Sequence, residues 1–196
     1  MRIFGIDPGS ERTGYGCVET DGRRHHLVAC GAVTALAGDP FPQRLARIHR
    51  ELTTLLAACR PDCVAVENVF HSINARSALK LGHARGVAIL AAVQAGCEIF
   101  EYTPAEVKVA VVGYGRAQKH QVQQMVKLLL CLDDVPSPHD AADALAVAIC
   151  HLHSARRVVA TRDSGRGVAR PAVDARSGAS AGKPPKSWRQ YRPAAG

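Results

Sequence analysis

The sequence predicts a mixed α/β fold, a five-stranded sheet with helices on both of its faces. Two observations carry this prediction: three extended segments joined by turn signals open the chain, and helical and extended segments alternate after them. Antiparallel strands followed by alternating helices and strands are typical of a mixed sheet that is covered on both sides. With 196 residues, the chain is long enough for one domain with a well-buried core and too short for two large ones.

The first half of the chain supplies four of the strands. They are predicted at residues 2–7, 13–20, 24–35 and 63–66. The Asp21-Gly22 pair is a strong hairpin signal between the second and third strands, because such pairs adopt the tight turns that suit twisted antiparallel strands. A helix over residues 42–59 has leucine and isoleucine at helical spacing and precedes the fully apolar fourth strand.

The second half of the chain is mostly helical. A long helix is predicted over residues 74–95 and is followed by the fifth strand at residues 98–102. Three more helices are predicted, over residues 104–112, 118–130 and 140–156. The Pro136-Ser137-Pro138 sequence breaks the chain before the last of them, since proline does not continue a helix.

Charge divides the chain into two parts. Of the net charge of +8, most lies in residues 161–196, which carry eight Arg or Lys and only two Asp. This segment is rich in Pro, Gly, Ala and Ser, so we expect a domain over residues 1–158 and a basic, disordered tail over residues 159–196. The tail's charge suits weak, salt-sensitive attraction to a polyanion, although a basic tail can also serve only to keep a protein soluble.

Composition also bears on the compartment. No run of the chain approaches the roughly 20 apolar residues of a membrane span, so we expect a cytoplasmic protein without membrane contact. The seven cysteines stand inside apolar runs, without a Cys-x-x-Cys pair. We therefore expect reduced cysteines that fill the core.

Two acidic residues end predicted strands. Asp7 follows the apolar run at residues 3–6, and Glu67 follows the run at residues 63–66. If the hairpin strands lie on one side of the first strand, the crossover helix places the fourth strand on its other side, parallel to it. The carboxyl ends of these two strands then form a topological switch point, where open α/β sheets bind ligands. The strand order therefore predicts that Asp7 and Glu67 are neighbours.

Two further acidic residues open the last helix. Asp140 and Asp143 are three residues apart, so they share one helix face near its N-terminus. Aspartate is favoured in a first turn, and helix capping would explain one of them. The presence of two, on a face that can meet the switch point, favours a metal site instead.

The four carboxylates predict a particular chemistry. Ligands that are all oxygen favour a hard cation, Mg²⁺ or Mn²⁺. Four carboxylates can hold two such ions about 3.5–4 Å apart, one activating water and one stabilising the leaving oxygen. The predicted reaction is phosphodiester hydrolysis.

Three residues outside this group suggest contact with a nucleic acid. Phe70 stands in the segment after Glu67 and could stack on bases or wedge between them, or could instead be tucked into the core. Lys108 and Lys119 could hold phosphates, although surface lysines are usually only solvated. We also expect Arg76 and Lys80, at the start of the long helix, to contact DNA.

Four stretches of the chain together resemble the RuvC family of bacterial Holliday-junction resolvases. They are Gly5-Ile6-Asp7-Pro8-Gly9 with Thr13-Gly14-Tyr15-Gly16, the strand ending in Glu67, the segment 77–87 (SALKLGHARGV) and the segment 139–146 (HDAADALA). The resemblance runs from about residue 2 to about residue 155. It leaves the basic tail uncovered.

The resemblance implies an RNase H-like fold and a homodimer that nicks two opposed strands of a four-way DNA junction in recombination and repair. It also implies two Mg²⁺ ions per subunit, with Mn²⁺ able to substitute, 5′-phosphate ends, and cooperation with the RuvA and RuvB branch-migration proteins. The four carboxylates fall on the family's catalytic positions. Phe70 falls on its junction-inserting aromatic, and Lys108 and Lys119 on its basic DNA contacts. Some relatives have histidine where Asp140 stands, so His139, one residue earlier, is at most a support for the ligands.

A dimer would use the long helix over residues 74–95. Its apolar residues cover more than one face, so one face can cover the sheet while another meets its copy, and burial within the monomer is the alternative. A twofold interface would suit a junction with approximate twofold symmetry.

Three rival functions remain open at this stage. An actin-like ATPase or sugar kinase has a similar start, but it needs a second lobe for which the chain has no room. A non-catalytic junction-binding protein is expected to lack some of the carboxylates, all of which are present. Another RNase H-like nuclease, acting on RNA–DNA hybrids or preribosomal RNA, is disfavoured by the segment 79–87.

Overall fold

The computed structural model describes residues 1–35, 38–68 and 74–163. Five strands are present, β1 (Arg2–Asp7), β2 (Arg12–Thr20), β3 (His25–Thr34), β4 (Cys63–Glu67) and β5 (Glu98–Tyr102). Five helices accompany them, α1 (Phe41–Cys59), α2 (Ala75–Gln94), α3 (Pro104–Val112), α4 (Lys119–Leu129) and α5 (His139–Asp163). Phe70 and residues 164–196, which contain most of the predicted tail, lie outside the described residues.

The strands form one mixed sheet in the order β3-β2-β1-β4-β5. The β1–β2 and β2–β3 pairs are antiparallel, whereas the β1–β4 and β4–β5 pairs are parallel. In the β1–β4 pair, Ile6 lies beside Val66, so the residues that follow them, Asp7 and Glu67, end neighbouring strands. The predicted switch point is confirmed.

Helices cover both faces of the sheet, as predicted. Phe4 and Ile6 of β1 pack with α1 and α2, while Ile3, on the opposite face of the same strand, packs with α3, α4 and α5. This alternation follows from the two-residue period of a strand. It makes β1 the centre of two hydrophobic cores.

Three glycines let α5 lie unusually close to the sheet. Gly5 and Gly16 are cross-strand partners in β1 and β2, and Gly14 is the partner of Asp7. A Cβ atom on any of the three would collide with α5, at Ala144, Leu145 or Asp140. The missing side chains therefore set the distance between the sheet and the first turns of α5.

The predicted elements agree with the observed ones to within one or two residues, except in α5. This helix begins at His139 and runs to Asp163, past the end predicted at residue 156 and across the boundary predicted after residue 158. All seven cysteines are free thiols, as expected, but Cys131 is exposed, so the expectation that all of them fill the core is wrong for that residue. Within the described residues, no helix is long and apolar enough to cross a membrane.

Candidate active site

Asp7 and Glu67 form the centre of the site. Their side chains share a hydrogen bond at the carboxyl ends of β1 and β4, although 60 positions separate them in the sequence. The turn after Asp7 is held by Thr13, which is fully buried. The Thr13 Oγ1 hydroxyl donates a hydrogen bond to the Gly9 carbonyl oxygen at 2.9 Å and accepts one from the Gly9 amide at 3.4 Å. These two hydrogen bonds hold the backbone turn that follows Asp7.

The environment of Asp7 favours its neutral form. Burial raises the pKa of Asp7 to about 8, and the negative charges of Glu67 and Asp143 act in the same direction. Burial also raises the pKa of Glu67, while the hydrogen bond from Asp7 and the positive charges of Lys119 and Lys108 oppose that rise. Two close carboxylates do not both ionise readily, and the deeper burial of Asp7 favours its protonated form.

Asp143 reaches the same site from α5. It lines a cavity of about 330 Å³ together with Asp7, Glu67, Lys108 and Lys119. The Lys119 Nζ atom lies 2.5 Å from Asp143 Oδ2, which makes this the shortest ion pair described. Partial burial alone would lower the pKa of Lys119, but the hydrogen bond and charge of Asp143 outweigh it and raise that pKa above its ordinary value.

Asp140 lies at the edge of the same site. Its negative charge contributes to the raised pKa of Asp7, but its side chain lines a neighbouring groove of about 660 Å³ and not the cavity. Arg12 and Arg44 line this groove as well, and Arg12 Nη1 lies 3.9 Å from Asp140 Oδ2. Each of the two α5 carboxylates therefore has a basic partner, and the partners come from different elements, Arg12 from β2 and Lys119 from α4.

The start of α5 is tied to α4 at a second point. The Gln123 Nε2 atom lies 3.0 Å from His139 Nδ1, and Gln123 is a buried polar residue. His139 itself is exposed and contacts α4 rather than the cavity. This contact joins the first turn of α5, which carries Asp140 and Asp143, to α4.

The donor set of this site fits a hard divalent cation, because all four candidate ligands are carboxylate oxygens. Among residues 1–35, 38–68 and 74–163, however, no three ligand side chains lie together in an arrangement that could already hold an ion. The reason is visible in the ion pairs: Asp143 faces Lys119, and Asp140 faces Arg12. The four carboxylates are gathered, but the two on α5 are each paired with a basic side chain.

The predicted DNA contacts fall into three groups. Lys108 and Lys119 line the carboxylate cavity. Arg76 and Lys80 are exposed in the first turns of α2 and do not line it, and the Lys80 Nζ atom lies 5.9 Å from the centre of the Phe41 ring. Phe70 lies outside the described residues.

Sequence reasoning missed three residues of the site: Thr13, Arg12 and Arg44. Arg12 and Thr13 follow Asp7 by five and six residues, at the start of the partner strand, and a tight β1–β2 turn implies that such residues return to the strand end. That signal was available. Arg44 had no such signal in the sequence, because its place beside the groove depends on how α1 packs.

A family model confirms the resemblance seen in the motifs. The model described as "Crossover junction endodeoxyribonuclease RuvC" matches residues 3–151, which include all four candidate carboxylates.

Relatives of known identity are similar to the chain over most of their own length. The RuvC of Koribacter versatilis is 56% identical over 155 residues, which cover 79% of this chain and 93% of the relative. The RuvC of Pelotomaculum thermopropionicum is 53% identical over 153 residues, covering 78% and 93%.

Solved structures agree with the fold. The Thermus thermophilus RuvC in complex with a Holliday junction substrate superposes with a TM-score of 0.77 at 37% identity, covering 81% of this chain and 96% of that one. The yeast mitochondrial Holliday junction resolvase Ydc2 gives a TM-score of 0.59 at 13% identity and covers 83% of both chains. At that identity, the second likeness supports only the RNase H-like fold.

Proposed function

The chain belongs to the RuvC family of crossover junction endodeoxyribonucleases, and from that membership we infer that it is a nuclease that resolves four-way (Holliday) DNA junctions in homologous recombination and DNA repair. The observation that carries this inference is the half-buried Asp7–Glu67 pair beside Asp143, in a cavity that Lys108 and Lys119 also line. Such a site combines groups for hydrolysis with groups for binding phosphate. The expected products are paired symmetric nicks with 5′-phosphate ends.

We assign Asp7, Glu67, Asp140 and Asp143 as the catalytic residues and as the ligands of divalent metal ions, which RuvC nucleases use. The all-oxygen donor set favours Mg²⁺, two ions per subunit, with Mn²⁺ able to substitute. When bound, the ions supply an activated water and stabilise the leaving oxygen. Asp7 must give up its proton before it can serve as a ligand, because only the carboxylate binds a metal.

The basic residues of the site position the DNA backbone. Lys108 and Lys119 lie at the cavity, where an ammonium group can hold the phosphate that is cut or one beside it. Arg76 and Lys80 are one helical turn apart on the exposed surface of α2, which starts after the strand that ends in Glu67. We expect them to contact the arms of the junction. The assignment of Phe70 as the aromatic that inserts into the junction rests on its sequence position alone.

A homodimer through α2 is supported by an exposed apolar stripe on that helix. The stripe comprises Leu79, Gly82, Gly86, Leu90 and Val93, which recur at helical spacing. The three larger residues are exposed, and a Cβ on either glycine would meet no atom. Exposed apolar surface of this kind marks interfaces, and the glycines would let two copies of the helix approach closely. We propose that two subunits meet here so that two sites face opposed strands of one junction.

The remaining partners follow from the family. We propose that the chain works with the RuvA and RuvB branch-migration proteins, which would bring the junction to a sequence that can be cut. Because the substrate is chromosomal DNA, we place the activity in the bacterial cytoplasm.

The test of this function compares three substrates in Mg²⁺: a synthetic mobile four-way junction, a linear duplex and an RNA–DNA hybrid. We expect paired symmetric nicks on the junction alone. Asp7→Asn should abolish cleavage and leave junction binding intact. Asp133→Asn removes a charge at an exposed position away from the cavity and should change neither.

Two results would contradict the proposal in different ways. Equal cutting of the linear duplex would refute the junction specificity. Undiminished cleavage by Asp7→Asn would refute the assignment of the carboxylates, whatever the substrate.

A further inference from the structure

We propose that Lys119 and Arg12 are exchangeable counter-ions: each neutralises one α5 carboxylate in the metal-free protein and passes to a DNA phosphate when a divalent cation takes that carboxylate. The inference rests on the proposed function, and it makes metal binding the event that prepares the site for DNA. It also assigns to Arg12 a contact with DNA that the motifs did not indicate.

The two α5 carboxylates are already paired with basic side chains. Asp143 is paired with Lys119 and Asp140 with Arg12, so each meets a basic side chain where a metal ion would have to bind it. An ammonium or guanidinium group has no lone pair to offer a metal. A divalent cation on the same carboxylate would also repel it at such short range. Metal binding therefore requires each basic side chain to leave its carboxylate or to loosen its hold on it.

Both basic side chains are free to make that move. Lys119 and Arg12 are 59% and 58% exposed, whereas the carboxylates they hold are 23% and 29% exposed. Lys119 begins α4 and Arg12 begins β2, so their backbones are fixed while their long side chains extend into solvent. The carboxylates stay in place, and the cations can swing out.

The release of Lys119 and Arg12 changes the charge that the site presents to DNA. In the metal-free protein, the charges of Lys119 and Arg12 are paired with those of Asp143 and Asp140. Two divalent ions carry four positive charges, which balance the four carboxylates without either basic residue. Lys119 and Arg12 are then left without counter-charge, and the site attracts a phosphate backbone more strongly.

The two exchanged cations would flank the reacting phosphate. Lys119 lines the cavity that contains Asp143, and Arg12 lines the groove that contains Asp140, where Arg44 also stands. Glu11 lines that groove as well and opposes an anion there, so Arg12 has to be released from Asp140 for the groove to attract phosphate. A DNA strand that crosses the carboxylates would pass from one cation to the other.

The proposal is tested by titrating Mg²⁺ into DNA-free protein in a calorimeter, using Lys119→Met and Arg12→Met. Each variant removes the charge and keeps a side chain of similar length. We expect each to bind Mg²⁺ about threefold to tenfold more tightly than the wild type, because the competing cation is gone. Lys119→Arg should retain the wild-type affinity. Lys127→Met, on the same helix but away from the cavity, is the matched control and should change nothing.

The same variants are then measured for junction binding by fluorescence anisotropy, in EDTA and in Ca²⁺. We expect Lys119→Met to weaken binding by less than twofold in EDTA, where the lysine is held by Asp143, and by about tenfold in Ca²⁺, where it is free to contact phosphate. Unchanged or weaker Mg²⁺ binding by both variants would overturn the proposal. An equal loss of junction affinity in EDTA and Ca²⁺ would overturn it too, because Lys119 would then contact DNA without being released. The Mg²⁺ titration contains no DNA, so its result does not depend on whether the wild type cuts junctions.

Discussion

Gly14 of β2 and Asp140 of α5 are packed backbone against backbone. A Cβ atom on residue 14 would collide with the Asp140 carbonyl oxygen and lie 3.2 Å from the Asp140 Cβ. Gly14 is also the cross-strand partner of Asp7. One glycine therefore fixes the separation between the strand that carries the central carboxylate and the helix that carries two others.

Gly14→Ala should push the first turn of α5 away from the sheet. Because the obstacle is backbone, the added methyl group has little room to adapt, and overpacking of this kind destabilises a protein by about 1–3 kcal/mol. A displacement near 1 Å at reacting groups lowers rate by roughly 100-fold. We expect a loss of junction cleavage of that order in protein that is still folded by circular dichroism.

The control for this substitution is Gly115→Ala. A Cβ there meets Val109 at an ordinary contact distance of 3.6 Å, so cleavage should stay within twofold of the wild type. Full activity of Gly14→Ala would show that the close approach does not position the carboxylates.

Asp7→Asn should stabilise the metal-free protein, by an amount that grows with pH. Burial raises the pKa of Asp7 to about 8 in the folded protein, above the ordinary value of 3.8. Below pH 4, Asp7 is protonated in both the folded and the unfolded protein, and its contribution to folding stability is complete. As the pH rises from 4 towards 8, the unfolded chain releases this proton while the folded protein keeps it, so the free energy of unfolding falls. Asparagine has no proton to release. The advantage of the variant should therefore grow by on the order of 1 kcal/mol per pH unit within that window.

The measurement is urea unfolding in EDTA at pH 5, 6, 7 and 8, with Asp21→Asn as the control. Hydrogen bonds from the backbone amides of Arg24 and Arg23 lower the pKa of Asp21, so its substitution should give no such gain. A stability difference between Asp7→Asn and the wild type that stays constant from pH 5 to pH 8 would mean that Asp7 is not protonated in the folded protein.

Leu90→Glu combined with Val93→Glu should convert the protein to monomers. Both residues lie in the exposed apolar stripe of α2. The double variant adds two charges per subunit, so a dimer would bury four unpaired charges in its interface, which is strongly unfavourable. Light scattering at micromolar concentration would report the mass. We also expect the paired nicks on a junction to become single nicks, since each monomer carries one site.

Leu128→Glu tests whether any exposed leucine has this effect. Leu128 is 64% exposed on α4, outside the stripe, and its substitution should leave the mass unchanged. If the α2 double variant has the same mass as the wild type, the interface lies elsewhere or the protein does not dimerise.

Thr13→Val should loosen the turn that follows Asp7. It keeps the shape of the buried side chain and removes both of its hydrogen bonds with Gly9, which leaves two partly buried backbone groups with fewer partners. The expected loss of stability is about 1–3 kcal/mol. Thr53→Val removes a single exposed hydrogen bond within α1 and should cost less than half as much. Equal losses for the two variants would mean that the Thr13 bonds have no special weight.

Much of the fold could be read from the sequence, because the signals that fix it are local. Apolar alternation and turn residues such as Asp21-Gly22 indicated the strands. The rules for connections between strands then predicted the strand order that places Asp7 beside Glu67. The end of α5 was less predictable: no proline or glycine stops the helix at residue 156, and it continues to Asp163.

The sequence by itself predicted which carboxylates come together, since strand ends and helical spacing are properties of nearby residues. Only the tertiary structure decided how they are used: Asp143 faces Lys119, and Asp140 faces Arg12 across a separate groove. Those pairings depend on the rotation and depth of α5 against the sheet. The rotation and depth of α5 are set by its packing against Gly5, Gly14 and Gly16, which are distant from it in the sequence. No local pattern in the sequence encodes such contacts.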